Sequence, residues 1–396
     1  MSVSSRRTLL LIAAVGMSMH GIVLSLSGPT LSCLMETFGL QEARAGLLLA
    51  SGSAGFLMGT LGVGFFIDRG GLKRAFVFGQ GMEVLALGLY AAARAFPVAL
   101  AAGLMVGLGA GIIETTLNTL PARMASRQAG SLMNLIHLFF SLGAFVAPLA
   151  IGALLERGWT WRTIYLLTVI PAAGVGAAVL GVRFPRTHAR QEEKCPAWVL
   201  LRQRPVILGA LVLLLYVGAE LGIGSWVVLY LQRELHLPIG LASAGLSAFW
   251  IAMMVGRYGN SRLALRFSER DLVIVSGIGG AICCWGLLTT RRPVLAFGWL
   301  ILAGFLFAGI YPLAMASVNS RYPRFAGRVS GLLAACAAAG ALVFPPLLGA
   351  LAQRTSLRLA MGLNGLWMMG VALTSAFMPR DVRPSSGLRQ RPESKQ

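Results

Sequence analysis

The chain has 396 residues, of which 56% are hydrophobic and only 12% charged, about half the charged share of an ordinary soluble domain. This excludes a soluble globular protein and implies a polytopic membrane protein whose apolar stretches cross roughly 30 Å of hydrocarbon as helices. The net charge of +20 would suggest nucleic acid in a soluble chain, but with the N-terminus taken as cytoplasmic, 25 of the 34 Lys and Arg fall in cytoplasmic segments, so the charge reports topology instead.

Twelve apolar stretches are long enough to span. Helix 1 is predicted at 8–32, after Arg6 and Arg7. It resembles a signal peptide but exceeds the usual apolar core of one and lacks a small-residue cleavage site, so it reads as the first span. It carries His20 and then Ser25, Ser27, Gly28 and Pro29 near mid-membrane. Proline there frees a carbonyl that protein or water must satisfy. A gating segment fits this patch, and so does a simple kink with His20 bonded to a neighbouring carbonyl.

Helices 2 and 3, predicted at 45–67 and 74–95, are joined by Gly64-Phe-Phe-Ile-Asp68-Arg69-Gly-Gly71-Leu-Lys73-Arg74. Glycines permit a tight turn, and Asp68 can cap a helix or pair with arginine. This stretch resembles the cytoplasmic GxxxDRxGR(K/R) loop of the major facilitator superfamily of transporters, with Leu72 in the usual arginine position. The resemblance implies an all-α membrane fold of twelve helices in two pseudo-symmetric six-helix halves. It also implies a cytoplasmic gate of Gly64, Asp68, Arg69, Gly71, Lys73 and Arg74. Glu83 lies midway along helix 3, a supporting helix in that superfamily, and reads as an interhelical hydrogen-bonding group.

Helix 4, at 97–120, carries the run GAGIIETTLNTLP over 109–121, with Glu114 deep in apolar sequence. An ionised carboxylate in hydrocarbon costs several kcal/mol and persists where it faces a protein interior or a wet cavity, commonly to serve a substrate or ion. The other reading is a protonated glutamate that joins two helices. Asn118 is four residues on and shares its face. Helix 5, at 129–154, supplies Asn134 and His137 on one face. At about 1.5 Å per residue, these groups lie at similar depths and are candidates for one polar site.

Helix 5 continues as Gly143-Ala-Phe-Val-Ala-Pro148-Leu-Ala-Ile-Gly152-Ala-Leu154. Helix 11, at 327–351, reads Gly340-Ala-Leu-Val-Phe-Pro345-Pro-Leu-Leu-Gly349-Ala-Leu351, identical at seven of twelve positions and 197 residues later, close to half the chain. The chain therefore consists of two related halves, the arrangement that transporters use for alternating access. Small residues at this spacing allow close backbone approach. The expected organisation is an N-terminal half at 1–183 ending with helix 6 (163–182), a linker at 184–205, a C-terminal half at 206–378 and a disordered cytoplasmic tail at 379–396. The linker is basic and proline-bearing, with one amphipathic surface helix expected around Trp198, suited to anionic lipid.

Helix 7, at 206–231, holds Tyr216-Val-Gly-Ala-Glu220-Leu-Gly-Ile-Gly-Ser225-Trp226. Glu220 lies about 21 Å into the span at 1.5 Å per residue, with Tyr216 on its face. Gly218, Gly222 and Gly224 predict a discontinuous binding helix. Helix 8, at 239–260, ends Gly256-Arg257, and Arg262, Arg266 and Arg270 follow in what reads as a worn copy of the helix 2 to 3 loop without its aspartate. Helix 9 (271–290) is followed by helix 10 (293–317), where Tyr311 precedes Pro312 and the offset of 197 sets it opposite Glu114. Helix 12 is predicted at 357–378. Cys33, Cys195, Cys283, Cys284 and Cys336 show no CxxC or metal spacing and read as small core residues without a disulfide framework.

Together, ETTLN at 114–118, Asn134 ahead of SLGA at 141–144, YVGAELGIGSW at 216–226 and GIYP at 309–312 resemble the fucose:proton symporter branch and its sodium-linked glucose-transporting relatives. The resemblance implies that Glu114 handles substrate or proton and that Asn134 is a sugar-contacting amide. The acidic residue that proton symporters carry in helix 1 has no match, and His20 and serines stand there. The expected function is secondary active transport by alternating access, an ion-coupled uptake of a small polar solute such as a sugar. Glu114 and Glu220 are the ion- or substrate-handling carboxylates, and His20, Asn118, Asn134, His137, Trp226 and Tyr311 shape the site. The alternative is a drug or metabolite:proton antiporter, because Gly143 to Gly152 loosely resembles GxxxGPxxGG, with Ala147 and Ile151 replacing glycines. No enzyme chemistry is expected, since no metal-ligand cluster, nucleophile–base pair or phosphate loop has credible spacing; a solute sensor stays open. No cofactor and no metal are expected, the drive being a proton or sodium gradient. The expected partners are a small-molecule substrate, the coupling proton or sodium ion and membrane lipids, without nucleic acid, for a monomer. The expected location is the bacterial cytoplasmic membrane, with both termini cytoplasmic.

Overall fold

The computed structural model describes residues 3–124, 129–182, 184 and 197–379. Among the described residues there is no strand, and 12 helices are long and apolar enough to cross a membrane. In the first half these are helix 1 (Arg7–Phe38), helix 2 (Glu42–Gly64), helix 3 (Gly71–Ala92), helix 4 (Phe96–Leu120), helix 5 (Leu135–Glu156) and helix 6 (Trp161–Leu180). In the second half they are helix 7 (Arg204–Leu235), helix 8 (Ile239–Leu263), helix 9 (Glu269–Thr289), helix 10 (Pro293–Asn319), helix 11 (Ala326–Arg354) and helix 12 (Leu357–Ala376). Helix 1 starts and helix 12 finishes at one end of the bundle, called here the starting end; the opposite end is the far end. The tail beyond Pro379, most of the linker and Cys195 lie outside the described residues. Trp198, where a surface helix is expected, belongs to a four-residue turn, Ala197–Leu200.

Two spans are broken, and proline explains both. Helix 1 divides into Val3–Leu24 and Ser27–Phe38, and helix 10 into Pro293–Phe307 and Ile310–Asn319. In each, the proline (Pro29 or Pro312) is the third residue of the second segment, where a backbone N–H has no intrahelical partner in any case. Helix 7 corrects the expectation of a discontinuous helix, for it runs unbroken from Arg204 to Leu235. Its glycines are contact points instead. A Cβ at Gly218 would strike the Phe344 ring, and one at Gly222 the Asn364 side chain. Between helices 2 and 3 the chain turns at Gly71, whose φ of 77° lies in the region open chiefly to glycine.

The two halves repeat each other in their end contacts. Lys73 Nζ donates to the carbonyl of Leu180, the last residue of helix 6, at 2.6 Å. Arg270, 197 residues on, donates to the carbonyls of Ser375 at 3.2 Å and Ala376 at the end of helix 12. Arg162 closes helix 3 through the carbonyls of Ala91 (2.7 Å) and Ala93 (2.6 Å), and Arg358 closes helix 9 through Leu288 at 3.2 Å. Cationic donors at helix C-termini satisfy carbonyls that the helix itself leaves open. Gly143 on helix 5 meets the backbone of Ser18 on helix 1, and Gly340 on helix 11 meets that of Leu214 on helix 7 in the same manner.

The halves are joined at the far end. Arg233 of helix 7 pairs with Glu42 of helix 2 at 2.5 Å, and Gln353 Nε2 of helix 11 donates to Gln41 Oε1 at 2.7 Å. Beneath these, Gly46 lies against Pro346, Gly28 against the carbonyl of Gly224, and Gly152 against Ser243, with no room for a Cβ. Outward-facing Leu11, Leu85, Ile170, Val294 and Leu359 are well exposed, as lipid-facing positions should be.

Candidate functional site

Between the halves lies a cavity of about 2180 Å³ that is lined from both sides. The far-end seam roofs it. Its lower wall includes Gly64, Thr119, Ala264, Asn319 and Arg328, near the starting-end termini of their helices, so it opens toward the starting end.

The main polar feature is a chain of side chains from helices 1, 4 and 5. His20 Nε2 lies 3.1 Å from Glu114 Oε2, and Asn118 Nδ2 donates to the other carboxylate oxygen at 3.4 Å. His137 Nε2 lies 3.0 Å from Asn118 Oδ1, an acceptor, so that nitrogen carries the proton. The i, i+4 spacing of Glu114 and Asn118 lets one helix present both groups to two neighbours. His20 is buried, with its ring between Phe56 and Phe140 at centroid distances of 6.4 and 5.6 Å. Glu114 keeps 27% of its side chain exposed to the cavity. Gly21 lies against the backbone of Phe140, and Gly143 against that of Ser18, so glycine on both helices sets the spacing.

The second half contributes Glu220 and Tyr216 from helix 7, Tyr311 from helix 10 and Arg257 from helix 8. Arg257 corrects the sequence reading, which placed it at a helix end among loop arginines. Helix 8 continues to Leu263, setting Arg257 about 9 Å inside the span at 1.5 Å per residue. Its Nη1 donates to Ser141 Oγ of helix 5 at 3.1 Å, and its Nη2 lies 3.8 Å from Met253 Sδ. Ser141 in turn donates to the carbonyl of His137 at 3.2 Å, which ties the arginine to the end of the polar chain. The signal in the sequence is length: a span beginning at Ile239 needs about 20 residues and so runs past Arg257.

Of the residues expected at the site, His20, Glu114, Asn118, His137, Glu220 and Tyr311 line this one cavity. Trp226 does not. It is fully buried, and its indole N–H donates to the carbonyl of Pro345 at 3.1 Å, pinning helix 7 to helix 11. It sits farther along helix 7 than Glu220, where the seam is packed shut. The side chains of Asn134, Asp68 and Arg69 lie outside the described residues. Of the remaining expected gate residues, Gly64 borders the cavity, Gly71 makes the turn, Lys73 caps helix 6 and Arg74 is exposed. Glu83 is buried and accepts from Gln80 of its own helix at 2.9 Å, so the expected interhelical bond is an intrahelical one.

The polar chain and the second-half groups facing it offer two carboxylates, two imidazoles, an amide, two phenols and a guanidinium to a solute, in a chamber whose wall is mostly apolar. A few placed polar groups in an apolar pocket are the usual makings of a small-molecule site.

Comparison with known proteins agrees with this architecture. The model of the Major Facilitator Superfamily matches residues 13–332 and again 260–396. The protein TsgA homolog of Yersinia enterocolitica is 22% identical over 371 residues, covering 93% of this chain and 94% of that protein. Among solved structures, a bacterial homolog of the human lysosomal transporter Spinster superposes with a TM-score of 0.80 at 16% identity, over 96% of this chain and 97% of the other. A D-xylose-proton symporter gives 0.74 at 15% identity over 94% and 96%. The fucose:proton symporter of E. coli gives 0.66 at 16% identity over 94% and 98%.

Proposed function

Because the chain belongs to the Major Facilitator Superfamily, we propose that it is a secondary active transporter that takes up a small polar solute, such as a sugar, together with a proton or sodium ion. The observation that carries this reading is the chain His20–Glu114–Asn118–His137, buried in a cavity shared by both halves and open at one end only. A solute seated there touches both halves, so its binding energy can bias their relative tilt, the requirement for alternating access around a central site. Two of the matched structures are proton symporters for xylose and fucose, in keeping with a hydroxylated solute.

The excess of basic residues in the segments at the starting end supports a cytoplasmic position for that end under the positive-inside rule. The form described is then inward-facing, in a bacterial cytoplasmic membrane. Glu114 exchanges a proton or a solute hydroxyl with the cavity, with His20 and Asn118 orienting its two oxygens. Glu220 provides the second carboxylate. Opening the far end requires parting Arg233 from Glu42 and Gln353 from Gln41, together with the glycine contacts below them.

Uptake of a panel of labelled sugars and polyols into proteoliposomes, with proton and sodium gradients imposed separately, tests this reading. Gradient-dependent uptake that is lost in Glu114→Gln supports it. Uptake in the variant with unchanged rate and unchanged pH dependence would show that Glu114 has no such role.

A further inference from the structure

We infer that the solute carries a carboxylate and that Arg257 is the group that binds it, making this a carrier of small hydroxylated monocarboxylates of the sugar-acid type. This rests on the transport reading and narrows its substrate class. A guanidinium within a span is costly by several kcal/mol and stays where it faces a cavity with work for a charge. Arg257 does face the cavity, and among the described residues its hydrogen bonds go to a serine hydroxyl and a thioether, with no ion pair to any carboxylate. Glu220 lies within its electrostatic reach but not in contact. The positive charge is therefore held in place and left without a direct counter-ion.

The holding is specific. Ser141, on the other half of the molecule, accepts from one terminal nitrogen, which fixes the plane of the guanidinium. Arginine has five N–H donors in a rigid fork, matched to the two oxygens of a carboxylate. With one bond to Ser141 and a weak contact to Met253, most of the fork remains free to bind a solute. Of the two arginines that line the cavity, Arg328 stands at its mouth, at the third residue of helix 11, and Arg257 lies within the span; a single charge at that depth suits a monoanion, whereas phosphoryl dianions are met by clusters of arginines. Glu114, Asn118 and Tyr311 line the same cavity and provide partners for hydroxyl groups. A bound carboxylate on Arg257 also bridges the halves through Ser141, so loading the site bears directly on their contact.

Entrance counterflow by the full-length protein in proteoliposomes tests the proposal with matched pairs: D-glucose against D-gluconate and D-galactose against D-galacturonate, with glucose 6-phosphate as the dianionic control. The acids should exchange about tenfold faster than their neutral partners, the scale of one charge-assisted hydrogen-bonded pair. Arg257→Gln should remove that preference, while Arg257→Lys, which keeps the charge without the fork, should retain part of it. A thermal melt of each variant checks that it is folded, and stabilisation of the unaltered protein by gluconate but not glucose is a readout independent of the variants. Exchange of the neutral sugars alone would overturn the proposal and leave the transport reading standing. Preference for the phosphate ester, or acid exchange undiminished in folded Arg257→Gln, would also overturn it. Exchange of none of these solutes would reject both readings.

Discussion

Arg270 does at the end of helix 12 what Lys73 does at the end of helix 6. The two basic residues stand 197 positions apart, and each reaches across its own half to donate to the final carbonyls of that half's last helix. At the same offset Leu265 stands in place of Asp68, yet this one contact is kept.

Removing either cap should destabilise the protein modestly. Lys73→Met and Arg270→Met are each expected to cost about 0.5–1 kcal/mol, the worth of a cation at a helix C-terminus. Thermal unfolding in detergent, followed by tryptophan fluorescence, would detect it, and two unshifted melts would mean that water serves these carbonyls equally well.

The His20–Glu114 pair should be energetically coupled. A double-mutant cycle with His20→Ala and Glu114→Gln should return an interaction of about 1–2 kcal/mol in stability, because either single change strands a buried polar partner. Strict additivity of the two changes would show that the 3.1 Å contact is incidental.

At the far end, glycine contacts should matter more than charge. Gly28→Val must push against the carbonyl of Gly224 and Leu246 and should prop the seam open. Arg233→Gln removes an exposed ion pair worth no more than about 1 kcal/mol, a fivefold population shift at most. Labelling a cysteine placed at Leu49, which lines the cavity, with an impermeant thiol reagent from the far side ranks the two. Faster labelling in Arg233→Gln than in Gly28→Val would reverse this ordering.

Trp226→Phe separates structure from solute binding. It should lower stability by about 1 kcal/mol through loss of the bond to Pro345 and leave the apparent solute affinity within about twofold. A tenfold loss of affinity on a stable protein would return Trp226 to the site.

The spans were legible because a membrane helix declares itself by length and apolarity alone, and Glu114 because a carboxylate in such a run has few uses. The breaks in helices 1 and 10 followed from Pro29 and Pro312. Helix 7 was misread because glycine thins a helix for two purposes, bending it or admitting a neighbour. Phe344 and Asn364, which fill the space beside Gly218 and Gly222, are more than a hundred residues away in sequence. Arg257 was misread for a related reason. Four arginines in fourteen residues look like one loop, and only the continuation of helix 8 to Leu263 separates the first from the rest. Trp226 and Glu220 lie on the same helix within two turns, and only the packing of the seam distinguishes their surroundings.

The four basic caps bear on how the protein is made. Lys73 and Arg162 close helices 6 and 3, Arg270 and Arg358 close helices 12 and 9, and none of these contacts crosses between the halves. Helices 3 and 6 therefore have terminal carbonyls satisfied from within the first half, before the seventh helix leaves the ribosome. Domains generally mature as units in order of synthesis, and a chain built this way can park its first half in the bilayer while the second is still being translated. Severed within the linker and produced as two polypeptides, the protein retains on each fragment these four caps, leaving the far-end seam and the bond of Arg257 to Ser141 among the contacts through which the fragments find each other.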